Sequence, residues 1–374
     1  MSREFVISVS SCLYVPVTRD TFHTPTLRCQ LSDKAADAMS TIIGSTQRGL
    51  DMPISTEVSW QLDDTTMYGT VVRPDGEGPF PGVVLVAGSG PTDRNWCSPL
   101  LPGENGAGKL FAEAFAAAGY ASISYDKRAS GAHVMDNLPK LIGKMSMASH
   151  LEELVAAVHS FVQHDFVDAS RLIGFGNSEG TLHILHYLVT EQTHPFSRAI
   201  LAAPPGRPVR DLLLMQLRLQ LTQAPNGDAL MTLVEQACAR YEAGQPMDPD
   251  PSLPEQLRMV LLSFDTPANL PLALELFAES ACDTLPRVTV PTLILIGEKD
   301  LQVDAQADGT RLQAATAAMS NVTFAFPPDA NHVFKYESRT TADVVASGAA
   351  YNNSNTQLDP VSLRIMLEWM NGTS

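Results

Sequence analysis

The sequence has little cysteine, few cationic side chains and no long apolar run. Its five thiols, Cys12, Cys29, Cys97, Cys238 and Cys282, are scattered, odd in number and form no Cys-x-x-Cys pair. That spacing argues against a disulfide framework and a zinc site, and leaves open a single bridge. Basic residues number 25 against 41 acidic ones, a net charge of −16. Such a surface repels nucleic acid and anionic membrane. No apolar stretch reaches the ~20 residues of a membrane-spanning helix. The N-terminus, MSREFVISVS, carries Arg3 and Glu4 and lacks the apolar core of a signal peptide. The expectation is a cytoplasmic protein without stable membrane insertion. Asn321, Asn352 and Asn371 fit glycosylation patterns, which carry no weight without export. His150, His159 and His164 lie on or near one helical pattern without partners at metal-ligand spacing, so they are expected at the surface.

The chain does contain LIGFGNSEGT, residues 172–181. An apolar run leads into Gly176-Asn177-Ser178-Glu179-Gly180, and a helix-like pattern follows. A serine hydroxyl is a poor nucleophile unless it is lifted clear of its neighbours and placed against a base. A sharp strand-to-helix turn lifts it, and flanking glycines relieve the crowding. Alone the motif is weak, because such a pattern also arises in surface turns. His183 and His186 follow too closely on the same helix to serve as the base, which must reach the hydroxyl from across the site.

Around the motif the chain alternates between short apolar runs and helical periods. Val58, Trp60 and Leu62 alternate, Asp63-Asp64 reads as a hairpin turn, and residues 67–72 return as a second strand. Gly82 to Val86 reads as a central parallel strand covered on both faces, and Ala121 to Tyr125, Ala199 to Ala203, Pro291 to Ile296 and Val322 to Phe326 read as further strands. Helices are expected over 107–118, 147–163 (with Ser149 and Glu152 as a capping box), behind Ser178, over 305–318, and after Asp359-Pro360. Between 206 and 284 only helical patterns occur. Val209, Leu212, Leu213 and Leu217 belong to the first of four amphipathic helices. Residues 1–55 read poorly beyond an alternating Phe5, Ile7, Val9, and residues 346–358 read as a flexible loop.

The stretch AGSGPTDRN, residues 87–95, resembles the oxyanion-hole loop of α/β-hydrolase serine esterases related to bacterial dienelactone hydrolases and acyl-peptidase-like esterases. Those usually read His-Gly-Ser-Gly-Pro-x-Asp-Arg; here Ala87 replaces the histidine. The family often has Asp-x-Arg-Gly-x-Gly after the next strand, and Asp126-Lys127-Arg128-Ala129-Ser130-Gly131 lacks its first glycine. That loop reads as structural support, and Asp93 with Arg94 as loop-fixing residues. Over roughly 56–372, the resemblance implies an α/β-hydrolase fold: a mostly parallel central sheet with helices on both faces. It divides the chain into an N-terminal extension (1–55), a core (56–205 and 285–374) and an inserted all-helical cap (206–284).

The resemblance also implies a site. Ser178 is the nucleophile. Asp300, just past the strand at 291–296, matches the family's Gly-x-x-Asp form as the triad acid; Asp304 is the runner-up and reads better as a helix-start residue. His332, in Asn331-His332-Val333-Phe334, follows the last strand as the base, in the required order serine, acid, histidine. The N–H groups of Ser89 and Glu179 are assigned to the oxyanion hole. The implied reaction is carboxylic ester hydrolysis through an acyl-enzyme, with no cofactor and no metal. The expected partner is a small-molecule ester with an apolar acyl or alcohol part. The open alternatives are a thioesterase or acyltransferase with the same triad, a peptidase, ranked low because the chain lacks the propeller domain of prolyl-oligopeptidase relatives, and a non-enzymatic ligand-binding protein on this fold. The oligomeric state is not legible.

Overall fold

A computed structural model describes residues 52–372, apart from 102, 191, 222, 223, 225 and 348–351. The strand expected near Phe5, almost all of the N-terminal extension and part of the loop expected at 346–358 lie outside the described residues.

Eight strands form one sheet. β1 (Ile54–Leu62) and β2 (Thr65–Arg73) make an antiparallel hairpin that turns at Asp63-Asp64. β3 (Phe80–Val86), β4 (Ala121–Tyr125), β5 (Val167–Asn177), β6 (Arg198–Ala202), β7 (Thr292–Leu295) and β8 (Val322–Ala325) run parallel to one another. The spatial order is β1-β2-β4-β3-β5-β6-β7-β8, so β5 is central. A central parallel strand must be apolar on both faces. Accordingly Val83, Val84, Leu85, Phe175, Ile200, Leu293 and Ile294 are buried.

Twelve α-helices occur among the described residues. α1 (Ala107–Ala117), α2 (Val134–Leu141), α3 (Met147–Val162) and α4 (Glu179–Val189) lie between the early strands. α5 (Val209–Leu221), α6 (Gly227–Glu242), α7 (Glu255–Phe264), α8 (Leu272–Ala278) and α9 (Ala281–Thr284) all fall between β6 and β7. α10 (Ala307–Ala315), α11 (Thr341–Ser347) and α12 (Pro360–Met370) complete the chain. α1 brings Phe111 and Phe115 onto the sheet; Phe111 meets Phe175 edge-on with centroids 4.9 Å apart. Each such aromatic contributes roughly 1.5–3 kcal/mol by burial.

The helices between β6 and β7 have a hydrophobic core of their own. Leu217, Met231, Val234, Tyr241, Leu261 and Phe264 belong to it, and it is separate from the cluster that includes the sheet. A segment with its own core can be inserted between two neighbouring strands without disturbing their pairing, and β6 still pairs directly with β7.

Two local expectations are corrected. The cap of α3 is Ser146, whose hydroxyl accepts from Ser149 N–H while Ser149 Oγ accepts from Ser146 N–H, both at 2.9 Å. The reciprocal pair therefore starts three residues earlier than Ser149–Glu152. His150 is buried, not at the surface, because it sits on the face of α3 that carries Leu154 and Val158.

Candidate active site

β5 ends at Asn177 and α4 begins at Glu179, so Ser178 alone makes the turn. Its backbone sits at φ 55°, ψ −124°. Such a conformation costs a non-glycine residue about 1–3 kcal/mol and persists only where its surroundings enforce it. Here two glycines allow the enforcement. A Cβ at Gly176 would lie 2.4 Å from the Gly180 carbonyl oxygen, and one at Gly180 would lie 2.4 Å from that of Val86. Without side chains, α4 packs directly on the ends of β5 and β3. Ser178 N–H donates to Ala202 O at 2.8 Å, and Thr181 donates to Ser178 O through N–H (2.9 Å) and Oγ1 (2.6 Å).

Asp300 lies three residues beyond Ile296-Gly297. Its Oδ1 accepts from the N–H groups of Gln302 (2.7 Å) and Val303 (3.0 Å). Its Oδ2 lies 2.7 Å from His332 Nδ1. A carboxylate only accepts, so Nδ1 carries the proton and Nε2 is the basic nitrogen. Asp304 instead accepts from Gln306 and Ala307 N–H at 3.0 and 2.6 Å, just before α10. Asn177 Nδ2 donates to His332 O at 3.0 Å and to Ala202 O at 3.3 Å, tying the loop that carries His332 to the end of β5.

Ser178, His332, Gly88 and Ser89 line one cavity of about 50 Å³. A Cβ at Gly88 would lie 3.3 Å from Ser178 Cβ, so the loop after β3 crosses directly beside Ser178. A second cavity, about 30 Å³, is lined by Ser89, Ser178 and Glu179 on one side and by Val209, Leu212 and Leu213 of α5 on the other. Helix α5 thus lies over Ser178 with a mainly apolar lining, to which Gln216 adds one polar side chain. A larger space of about 690 Å³ touches Asp300, but its lining contains neither Ser178 nor His332, so it is not the seat of the chemistry.

The loop over residues 87–97 is fixed from several sides. Thr92 Oγ1 donates to Ser89 O at 2.6 Å. Asp93 accepts from the N–H groups of Asn95 and Cys97, both at 2.9 Å, and burial raises its pKa. The Arg94 guanidinium pairs with Asp126 at 2.7 Å and with Glu57. Asp93 and Arg94 therefore hold the loop in place.

Behind the loop lies a buried ionic cluster that the sequence did not disclose. Lys127 Nζ donates to Gly88 O at 2.7 Å and stands 3.6 Å from Glu179 Oε1. His183 Nε2 is 3.1 Å from the same Glu179 oxygen. His150 Nδ1 reaches Glu153 at 3.1 Å, and Arg128 Nε reaches Glu153 at 2.9 Å. Burial opposes ionisation of Glu179, but Lys127 and the His183 hydrogen bond outweigh it and hold the carboxyl below the usual carboxylate range. Burial likewise opposes charge on Glu153, yet His150 and Arg128 lower its pKa to about 2. Burial lowers His183 to about 4, so it is neutral at pH 7 and donates from Nε2 to Glu179. His150, Glu179 and His183 offer ligand atoms within 4.8 Å of one another. The Lys127 ammonium beside Glu179 opposes a metal ion there by charge repulsion.

A central parallel sheet with a strained serine turn on its middle strand, and an acid and a histidine beyond later strands, defines the α/β-hydrolase fold. A family model described as serine aminopeptidase, S33, matches residues 105–339. The chain belongs to that family. It is 26% identical over 283 residues to Esterase EstD of Thermotoga maritima, covering 74% of this chain and 60% of that protein. The chain thus spans 60% of the length of this curated relative. Among solved structures, VinJ matches with a TM-score of 0.52 at 14% identity, covering 85% of this chain and 99% of VinJ. The acylaminoacyl peptidase of Pyrococcus horikoshii matches with a TM-score of 0.51 at 11% identity, covering 86% of this chain and 42% of that one. Both likenesses concern the fold alone. No helix among the described residues is long and apolar enough to cross a membrane.

Proposed function

We propose that the protein hydrolyses carboxylic esters through an acyl-enzyme on Ser178. The observation that carries this reading is the 2.7 Å contact of His332 Nδ1 with Asp300, which leaves Nε2 basic in the cavity that Ser178 lines. His332 takes the hydroxyl proton as Ser178 Oγ attacks the ester carbonyl. The N–H groups of Ser89 and Glu179 hold the oxyanion. Collapse expels the alcohol, which receives the proton from His332. Water, deprotonated by His332, then attacks the acyl-serine and releases the acid. Asp300 fixes the tautomer and stabilises the imidazolium. The name of the relative, Esterase EstD, agrees with an ester substrate.

The helices between β6 and β7 act as a cap, and Val209, Leu212 and Leu213 wall the acyl side. That wall is apolar, as a medium-chain acyl pocket would require. The space beside it, however, holds roughly two water molecules. Short acyl groups therefore fit with α5 where it is, and longer ones need it displaced. Hydrolysis of p-nitrophenyl esters from acetate to palmitate is the test. Maximal kcat/KM at two to four carbons supports this reading, and a maximum at twelve or more carbons sinks its acyl-side part.

The family description favours one second reading, in which the same serine is acylated by an aminoacyl amide. Comparing p-nitrophenyl acetate with alanine p-nitroanilide separates the two. Turnover of the anilide alone overturns the ester reading.

A further inference from the structure

We propose that Lys127 is a positioning residue that holds both arms of the oxyanion site and thereby sets the rate at which Ser178 is acylated. This rests on the esterase reading above.

The Gly88 carbonyl and the Ser89 N–H belong to the same planar trans amide, so they point in opposite directions. Lys127 Nζ grips the Gly88 oxygen at 2.7 Å from behind the loop. The Ser89 N–H is thereby aimed to the opposite side, where Ser178 and Ser89 share a cavity. A hydrogen bond from an ammonium also polarises that amide, which strengthens its N–H as a donor. The same Nζ stands 3.6 Å from the carboxylate of Glu179, whose backbone N–H is the second assigned donor. One cation therefore ties residue 88 to residue 179.

The charge matters as well. Glu179 is the residue after the nucleophile and is 5% exposed. A bare carboxylate there would oppose the negative charge that develops on the substrate oxygen. Lys127, 4% exposed, neutralises it.

Lys127 is itself held. Its carbonyl accepts from Ser130 N–H at 2.8 Å and Ser130 Oγ at 3.0 Å. Its neighbour Asp126 accepts from Arg94 N–H at 2.8 Å. The Asp126-Lys127 pair therefore clamps the 88–94 loop at both ends, a role more specific than general support.

The experiment compares wild type, Lys127→Met and Lys127→Arg. Rates are normalised to sites titrated with a fluorophosphonate, so that misfolded enzyme does not count. For Lys127→Met we expect per-site kcat on p-nitrophenyl acetate to fall 10- to 100-fold with KM within threefold. The rate constant of fluorophosphonate inactivation should fall by the same factor, because phosphonylation draws on the same donors. Lys127→Arg should recover part of both. A residue that merely stabilises the fold would lower Tm and the titratable fraction but not the per-site rate. A folded Lys127→Met with per-site rates within twofold of wild type overturns the proposal. If that variant does not fold, Lys127→Met/Glu179→Gln, which buries no uncompensated carboxylate, carries the same test with the same two outcomes. The wild-type control separates the two levels. Failure to label Ser178 overturns the nucleophile and the clamp together. Labelling without turnover of any ester overturns the esterase reading alone, and the inactivation rates still decide the clamp.

Discussion

Adding a single methyl group, by Gly180→Ala, asks whether backbone packing sets the distance between nucleophile and oxyanion loop. The new Cβ would meet Val86 O at 2.4 Å and Ala87 O at 2.7 Å. Real Cβ contacts essentially never fall below 3.0 Å, so Val86 O must retreat by 3.0 − 2.4 = 0.6 Å or more. Both obstacles are backbone atoms at the end of β3, and no side-chain rotation relieves them. Overpacking of this kind costs about 1–3 kcal/mol. For a chain of this size that lowers Tm by roughly 1–4 °C. The strand end that retreats carries Gly88 and Ser89 away from Ser178. A misplacement of about 1 Å costs on the order of a hundredfold in rate, so about half that distance should cost roughly tenfold. The assay is differential scanning calorimetry beside steady-state hydrolysis of p-nitrophenyl acetate. The expected result is a lower Tm with kcat reduced more than KM is raised. A variant with wild-type Tm and wild-type kcat would refute the reasoning, because α4 and β3 could then separate without consequence.

Three further outcomes follow from the same geometry. Asp300→Asn presents an amide N–H to His332 Nδ1 and forces the proton onto Nε2, so kcat should drop about 10³- to 10⁴-fold with little change in KM; steady-state kinetics at pH 7 checks it. Asn177→Ala removes the donor that holds His332 O and Ala202 O, and should cost about 1–2 kcal/mol in urea unfolding and about tenfold in kcat. Acid should weaken the fold through His183. Its pKa is about 4 when folded and near 6.5 when unfolded, so the unfolded chain takes up the proton first as pH falls. That contribution is fully present above about pH 6.5, is lost down to about pH 4, and amounts to a few kcal/mol in order of magnitude. Glu179 and Glu153, held below their ordinary range, extend the loss below about pH 4.5. Urea midpoints at pH 7.5, 5.5 and 4.5 should fall steeply for wild type and less steeply for His183→Gln.

The parts of this fold that were legible are those where a local pattern carries the whole constraint. Val83 to Val86 and Leu293 to Ile296 are continuous apolar runs, and every residue in them is buried. Leu212, Leu213 and Leu217 recur at helical spacing, and they are buried in α5. Ser178, Asp300 and His332 could be ranked because the order of elements restricts which side chains can meet; Asp300 and His332 do meet, and Ser178 shares the cavity of His332. What was illegible depends on contacts far apart in sequence. Lys127 lies in a loop that reads as structural support, but its partners, Gly88 and Glu179, are 39 and 52 positions away and no local pattern names them. His150 shares the apolar face of α3, but the ring that covers it, His183 on α4 at 4.8 Å, is distant in sequence. α2 has only eight residues, with Pro139 inside it, too short and too interrupted to show a period.

Ester hydrolysis by Ser178→Ala, measured beside wild type with p-nitrophenyl acetate at pH 7.5, tests the central claim most directly. Steady turnover is expected in wild type, with a loss of at least 10³-fold in the variant, since a triad acts as a unit. Comparable turnover in the variant, or none in a folded wild type with acyl groups from acetate to palmitate, would contradict it.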